Sequence, residues 1–516
     1  MVVNVGDFIE SSITELKKRF DSILKNSTLQ DTERREIDCL LDAFSAPFSS
    51  LSSDYLRLKY FEKSGNHILA TECVVGERYD YKFVANRIVG MPVPCTATHI
   101  PLRLTLKKFF ELPGIFTTVL NHVNQLKCDD SVLSNFVQGN LWRKKSALYE
   151  AEGKTVLPLF LGIDDLEINN ALGSHTGVSQ VGAVYVSTPC LPPEFYAQLN
   201  NIFLNFLYYS QDRKLPNGNF EVFKNVVSEL NFLARNGIWL KTESGNKRVN
   251  FVLGLILGDN KGLNEVLGFP GSFSANLYCR FCKRHRNDCS YDSEELSNYI
   301  RKSEDYETDV TLGVNVSGVK EKCVWLEVDY FDPVENFASC TLHDFDEGIS
   351  RYAMPQICHF FISVAKIFDL AFLHERILSF NYQINGFSKK PSVITEDNLK
   401  KLNFKMSGSE MRTFVLCFNF LVGDYVPLEC DVWRYYLVLR RLLEYVSCRA
   451  FPRQCLPQLK NLIEEHNFLY LKVFGPLKPK MHLLVHYPHI LVESGPMPYL
   501  SMIRNEGKHK EIKEVQ

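Results

Sequence analysis

Four small groups of residues have the types and spacing that chemistry requires. Cys279-Arg-Phe-Cys282 sets two thiols on one short loop. As thiolates such a pair can share one zinc ion, but the ion then needs two further ligands. His285 and Cys289 lie close enough in sequence to complete a local knuckle. His482-Leu-Leu-Val-His486 offers a second source, because this spacing puts both imidazoles on one face of a helix. Either motif alone is also explained by ordinary buried or surface residues. A redox pair is a third reading of the cysteines, although nothing nearby resembles a thioredoxin unit.

The third group is acidic. Asp164 and Asp165 follow the apolar, β-rich run 155–163, and Asp259 follows a similar run at 248–257. Carboxylates gathered at one place repel one another unless cations neutralise them. Mg²⁺ or Mn²⁺ prefers such hard oxygen ligands, and two bridged ions can activate an attacking oxygen and stabilise a leaving one in phosphodiester chemistry. The plainer alternative is that these are turn residues at strand ends, where Asp is common. The fourth group is Leu342-His-Asp-Phe-Asp-Glu-Gly348. It reads as an acid-rich helix start or as a contributor near a metal site.

Elements must exist to position these groups. Buried strands ending in acids are how α/β enzymes present carboxylates at a sheet edge, so 155–163, 182–187 and 248–257 are expected to be strands. The spacing of Ile9, Ile13, Leu16, Phe20 and Leu24 predicts an amphipathic helix, and a second follows to about residue 46. Residues 55–141 are mixed, with helical patterning at 104–126. Residues 192–233 show apolar residues at helical spacing, among them Phe195, Leu199, Ile202, Phe203, Phe206 and Leu207, and predict a helix. The charged stretch 289–318 reads as a loop or insertion. Residues 352–473 carry aromatic and aliphatic residues at helical spacing and predict an all-helical domain.

Composition sets the bounds. The chain has 516 residues, too many for one ordinary domain. With 45% hydrophobic and 23% charged residues it reads as globular rather than disordered. A formal net charge of −2 gives no overall basic excess, so any DNA-binding surface must be local. The basic cluster Lys283, Arg284, His285 and Arg286 is a candidate phosphate contact or a solvated loop. Fifteen scattered cysteines without a secretory signal favour a reduced, intracellular setting. No apolar run is long enough to predict a membrane span.

Taken together, the segments resemble the CACTA (En/Spm-like) group of DNA transposases in its animal form. The resemblance rests on Phe160 to Gly173 with Gly182-Ala-Val-Tyr185 and Leu191-Pro-Pro193. It continues through Leu257-Gly-Asp259-Asn260, Leu267-Gly-Phe269 and Cys279-Arg-Phe-Cys282. Leu342-His343-Asp344 with Glu347-Gly348 follows, and then Lys480-Met-His482-Leu-Leu-Val-His486, Gly495-Pro496 and Met502 to Glu506. A similar arrangement occurs in Transib transposases and the V(D)J recombinase catalytic core. The resemblance covers roughly residues 155–510. It departs from the family at Cys340, where an aspartate is usual, and at Leu342, where a methionine is usual.

This resemblance implies an α/β, RNase H-like core interrupted by a large all-helical insertion, after a mainly helical N-terminal region. The expected segments are 1–150 for that region, 151–290 for the first part of the core, 291–475 for the insertion, and 476–516 for the HxxxH motif with a truncated final helix. It implies a catalytic triad of Asp164, Asp259 and Glu506 holding two Mg²⁺ or Mn²⁺ ions, with Asp165 in reserve for the first position. It also implies a structural zinc site of Cys279, Cys282, His482 and His486, leaving His285, Cys289 and His489 as bystanders or supporting groups. The implied activity is metal-dependent cleavage and transfer of DNA strands at transposon ends and target DNA, by a nuclear homo-oligomer. The alternative is a domesticated, non-catalytic nuclear protein that binds DNA or proteins. The stretch from Asp259 to Glu506 is far too long for a loop, which fits the helical text between them.

Overall fold

In the computed structural model the described residues are 2–514, apart from 25–29, 46–50, 66, 85–86, 168–179, 385 and 388. Contacts divide the chain into two units, residues 1–70 and 71–516. The first holds helices α1 (Val2–Leu24), α2 (Asp31–Ser45) and α3 (Asp54–Lys63). The first two match the expected amphipathic pair, and Lys17 of α1 pairs with Asp42 of α2. Ser53 caps α3 by accepting the Leu56 N–H.

The second unit is mixed α/β, built on a seven-stranded mixed sheet. A long hairpin opens it, β1 (Thr71–Val84) with β2 (Arg87–His99), inside the stretch that the sequence left mixed. Helices α4 (Leu102–Phe110), α5 (Ile115–Cys128) and α6 (Asn140–Glu150) lead to β3 (Thr155–Glu167), β4 (Gln180–Ser187) and β5 (Ile202–Tyr209). Helix α7 (Gly218–Arg235), strands β6 (Ile238–Thr242) and β7 (Gly245–Leu257), and helix α8 (Asn260–Val266) complete this half. The order across the sheet is β1-β2-β5-β4-β3-β7-β6. Only β3 and β7 pair in parallel; the other neighbours are antiparallel.

The single long helix expected over 192–233 is not there. Pro193–Tyr196 is one short turn, Ile202–Tyr209 is strand β5, and only α7 is a long helix. Ile202-Phe-Leu-Asn-Phe-Leu-Tyr-Tyr209 is dense in aromatic and aliphatic side chains on both faces. A short apolar run of that kind satisfies helical spacing by chance, and periodicity alone does not separate the two. The acids after 155–163 were expected at a strand tip, yet β3 continues through them to Glu167. The antiparallel partner β4 extends the ladder past both, pairing Asp164 with Ala183 and Asp165 with Gly182. Residues 168–173 of the first resemblance block lie outside the described residues.

Buried β3 and β7 carry near-continuous apolar runs because helices cover the sheet: α6 packs on β3 and α7 on β7. Residues 289–318 are mostly irregular, as expected, with one helix at Tyr306–Leu312. From residue 342 the chain is largely helical. A π-helical stretch, Leu342–Ile349, runs into α9 (Ser350–His359), followed by α10 (Leu370–Ser379), α11 (Gly408–Val422), α12 (Asp431–Val446) and α13 (Leu456–Phe474). Ser407 and Glu410 form a capping box that starts α11. Phe414, Phe418, Trp433 and Tyr436 interlock α11 with α12 in edge-on and tilted ring contacts. One two-residue bridge, Val132–Leu133 with Phe451–Pro452, ties this region back to the segment before α6. Helices α14 (Pro479–Leu483), α15 (Tyr487–Ser494) and α16 (Ile503–Glu514) close the described chain. Among the described residues no helix is long and apolar enough to cross a membrane.

Candidate functional site

Two centres form where distant segments meet, one acidic and one of cysteines and histidines. The acidic centre begins with strand register. Gly162 of β3 pairs with Leu257 of β7 in parallel. Asp164 lies two residues past that pair within β3, and Asp259 two residues past it, just beyond the end of β7, and the two acids line one cavity. Asp259 then caps α8, its Oδ1 accepting the Gly262 N–H at 2.5 Å. The next residue, Asn260, donates to Asp344 Oδ1 at 2.5 Å and accepts from buried Arg280 at 2.9 Å, which ties this end of the sheet to the π-helical stretch.

Glu506 arrives on α16, which crosses β3 at Gly162. A Cβ at that glycine would overlap the end of the Asn505 side chain, so the glycine leaves the room that this amide fills. His509, one turn along, brings Nε2 to 3.6 Å from Asp164 Oδ2. Glu506 Oε1 lies 3.2 Å from His343 Nε2. Burial, Asp259 and Glu506 together push the Asp164 carboxyl up to about 7, against the pull of His343. Burial disfavours a charged His343, but its bonds to Cys340 and Glu506 outweigh that and raise it to about 11.

Asp165 lines the same cavity as Asp164 and is engaged by other side chains. It accepts from Ser210 Oγ at 2.8 Å and faces Arg213 Nη2 at 3.4 Å. Both aspartates, with Gln180, Arg213, Asp259, Lys261 and Glu265, line a cavity of about 200 Å³. The acids of the fourth sequence group are tied into the structure. Buried Asp344 is held by Asn260 and Tyr487, Asp346 by Arg412, and Glu347 by Arg351. Only His343 from that group reaches the acidic centre.

The second centre gathers Cys279, Cys282, His482 and His486, all buried, with their ligand atoms within 4.8 Å of one another. Cys282 Sγ lies 3.3 Å from His482 Nε2, and Cys279 Sγ lies 3.5 Å from His486 Nε2. A tetrahedral zinc with ordinary Zn–S and Zn–N bonds would set such sulfur–nitrogen edges at roughly 3.5 Å. The four side chains therefore fit a tetrahedral metal ion. Burial opposes ionisation of Cys279, but the Cys282 thiol and the two imidazoles hold it well below its usual range. The imidazoles owe their common face to α14 followed by a tighter turn, Leu484–His486. Behind them, His486 Nδ1 bonds Glu295 at 2.7 Å and His482 Nδ1 faces Asp292 at 3.7 Å, the positions of supporting carboxylates.

The local knuckle does not form. His285 stands outside the group and uses Nδ1 to accept the Asn287 N–H. Cys289 instead groups with Asp292 and His482. The basic cluster is also engaged internally: Lys283 pairs with Asp309, Arg284 with Asp292, and Arg286 donates to the Ser274 carbonyl. Sequence reasoning missed Arg213, Glu265, Asp292 and Glu295, whose spacing carries no motif. No family model and no curated protein matches this sequence.

Proposed function

We propose that this chain is the core of a DDE-type DNA transposase of the CACTA kind, or a descendant of one, with an RNase H-like sheet interrupted by the helical region. The observation that carries the reading is that Asp164 and Asp259, each two residues past the paired Gly162 and Leu257, line one cavity, with Glu506 near enough to act on Asp164 electrostatically. The meander β3-β4-β5, with β7 added in parallel beside β3, supports the RNase H-like assignment. The crowding that raises Asp164 is what a pair of Mg²⁺ or Mn²⁺ ions would relieve. Two such ions would supply Lewis-acid activation of the attacking and leaving oxygens of a phosphodiester.

In this reading the chain's own residues divide the work. Asp164, Asp259 and Glu506 hold the cations. The Gly262 N–H leaves Asp259 one oxygen committed and one to offer. Cys279, Cys282, His482 and His486 hold zinc, a closed site that does no chemistry. That zinc would join the segment entering the helical region to the segment leaving it, and so return Glu506 to the aspartates. Transposon-end and target DNA are the substrates, with a nuclear homo-oligomer as the working form.

One observation favours the rival, a domesticated protein without catalysis. His343 occupies one Glu506 oxygen, and the three acids do not close within 4.8 Å of one another as the Cys/His group does. Mn²⁺-dependent nicking or strand transfer, on DNA with candidate terminal repeats, separates the readings. The enzyme yields products that Asp259→Ala abolishes; equal background from both proteins rejects catalysis.

A further inference from the structure

Cys340 stands three residues before His343, is 2% exposed, and touches the acidic centre through two routes. Its Sγ accepts the Met502 N–H at 3.2 Å, and the Ser501 hydroxyl lies 3.9 Å away. Met502 directly precedes α16, and its carbonyl takes the Glu506 N–H at 3.0 Å. The sulfur therefore fixes the peptide on which the first turn bearing Glu506 is built. By the second route, Cys340 Sγ lies 3.3 Å from His343 Nδ1, and His343 Nε2 lies 3.2 Å from Glu506 Oε1. Lys480 Nζ donates to the His343 main-chain carbonyl at 2.6 Å, which ties down the backbone that carries the ring.

We propose that Cys340 is the positioning residue for Glu506: one sulfur anchors both the start of the helix that carries this carboxylate and the imidazole that orients it. The inference rests on the metal-binding reading of the three acids. A soft, buried sulfur suits the place. It accepts an N–H and meets an imidazole without adding a further carboxylate to the three acids.

The test uses the full chain and Mn²⁺ alone, followed by the electron paramagnetic resonance signal of the free ion, so that no turnover is needed. Cys340→Val, which keeps the bulk and removes the acceptor, is expected to weaken Mn²⁺ binding about tenfold, the usual effect of losing a group that orients a ligand. Cys340→Ser restores most of the affinity. In a Glu506→Gln background Cys340→Val adds no further loss, because the cysteine acts through that carboxylate. A general packing defect would weaken binding in both backgrounds and would overturn the proposal, as would unchanged affinity in Cys340→Val. If the wild type binds no Mn²⁺, the reading of the acids fails and takes this inference with it. If the wild type binds and only the Cys340 results fail, that reading stands.

Discussion

Gly162 lies directly beneath Asn505, so close that the strand and the helix touch where a side chain would otherwise stand. The last helix meets β3 again where His509 stands beside Asp164. Gly162→Ala is expected to cost about 1–3 kcal/mol as the helix is pushed off the strand. The loss should be local. Amide exchange should rise along α16 and Mn²⁺ binding should fall, with exchange in β3 and β7 held at the wild-type rate. Uniform loss of protection across the sheet would show that the glycine serves strand packing rather than the docking of α16.

The Cys279/Cys282 and His482/His486 pairs come from segments on either side of the helical region. If a metal joins them, its removal should loosen that region as a unit. Cys279→Ser is expected to lose the metal and several kcal/mol of stability, on the order seen when a closed structural site is broken. Metal analysis and thermal unfolding check this together. Full metal content in both Cys279→Ser and His482→Ala would refute a shared ion, whatever the stability change.

Much of this was legible in the sequence and some was not, for physical reasons. The apolar runs of β3 and β7 are long, buried on both faces and bounded by acids, so they announce themselves. The helices of residues 352–473 repeat their periodicity over many turns. Strand β5 was misread because seven apolar residues, interrupted only by Asn205 and buried or half-buried on both faces, carry no alternation. The convergence of Cys279 with His486 depends on a return of the chain across the whole helical region, which no local pattern encodes and only the family resemblance implied. The partners of the basic cluster, Asp292 and Asp309, are ordinary acids until the fold places them.

Removing one acid should reveal the tension at the acidic centre. Asp164 shares its surroundings with Asp259 and Glu506, and all three are anionic when ionised. Asp164→Asn keeps the shape and relieves the repulsion. The metal-free protein should gain about 1 kcal/mol at neutral pH, as sites strained for function commonly do. The same substitution should abolish the stabilisation that added Mn²⁺ gives the wild type. Urea unfolding with and without Mn²⁺ reads both effects. A destabilised metal-free Asp164→Asn would mean that the carboxylate serves as a structural acceptor rather than a cation ligand.

Away from both centres, His466 gives the helical region a titration of its own. The imidazole is fully buried in α13, with Nε2 bonded to the Tyr435 hydroxyl at 2.9 Å and Nδ1 to Asn467 Oδ1 at 2.9 Å. Burial pushes its pKa down to about 4, against the smaller upward effect of Asn467. The unfolded chain would take up the proton near 6.5. Between these values the unfolded state binds a proton that the folded state does not, so stability is lost as the pH falls from 6.5 to 4. A shift of this size corresponds to about 3 kcal/mol. His466→Gln keeps a hydrogen-bonding side chain and cannot titrate. Its stability should fall less steeply over that interval, by about the same 3 kcal/mol at pH 4. Parallel pH profiles for the two proteins would mean that His466 takes up its proton as readily in the folded state as in the unfolded chain.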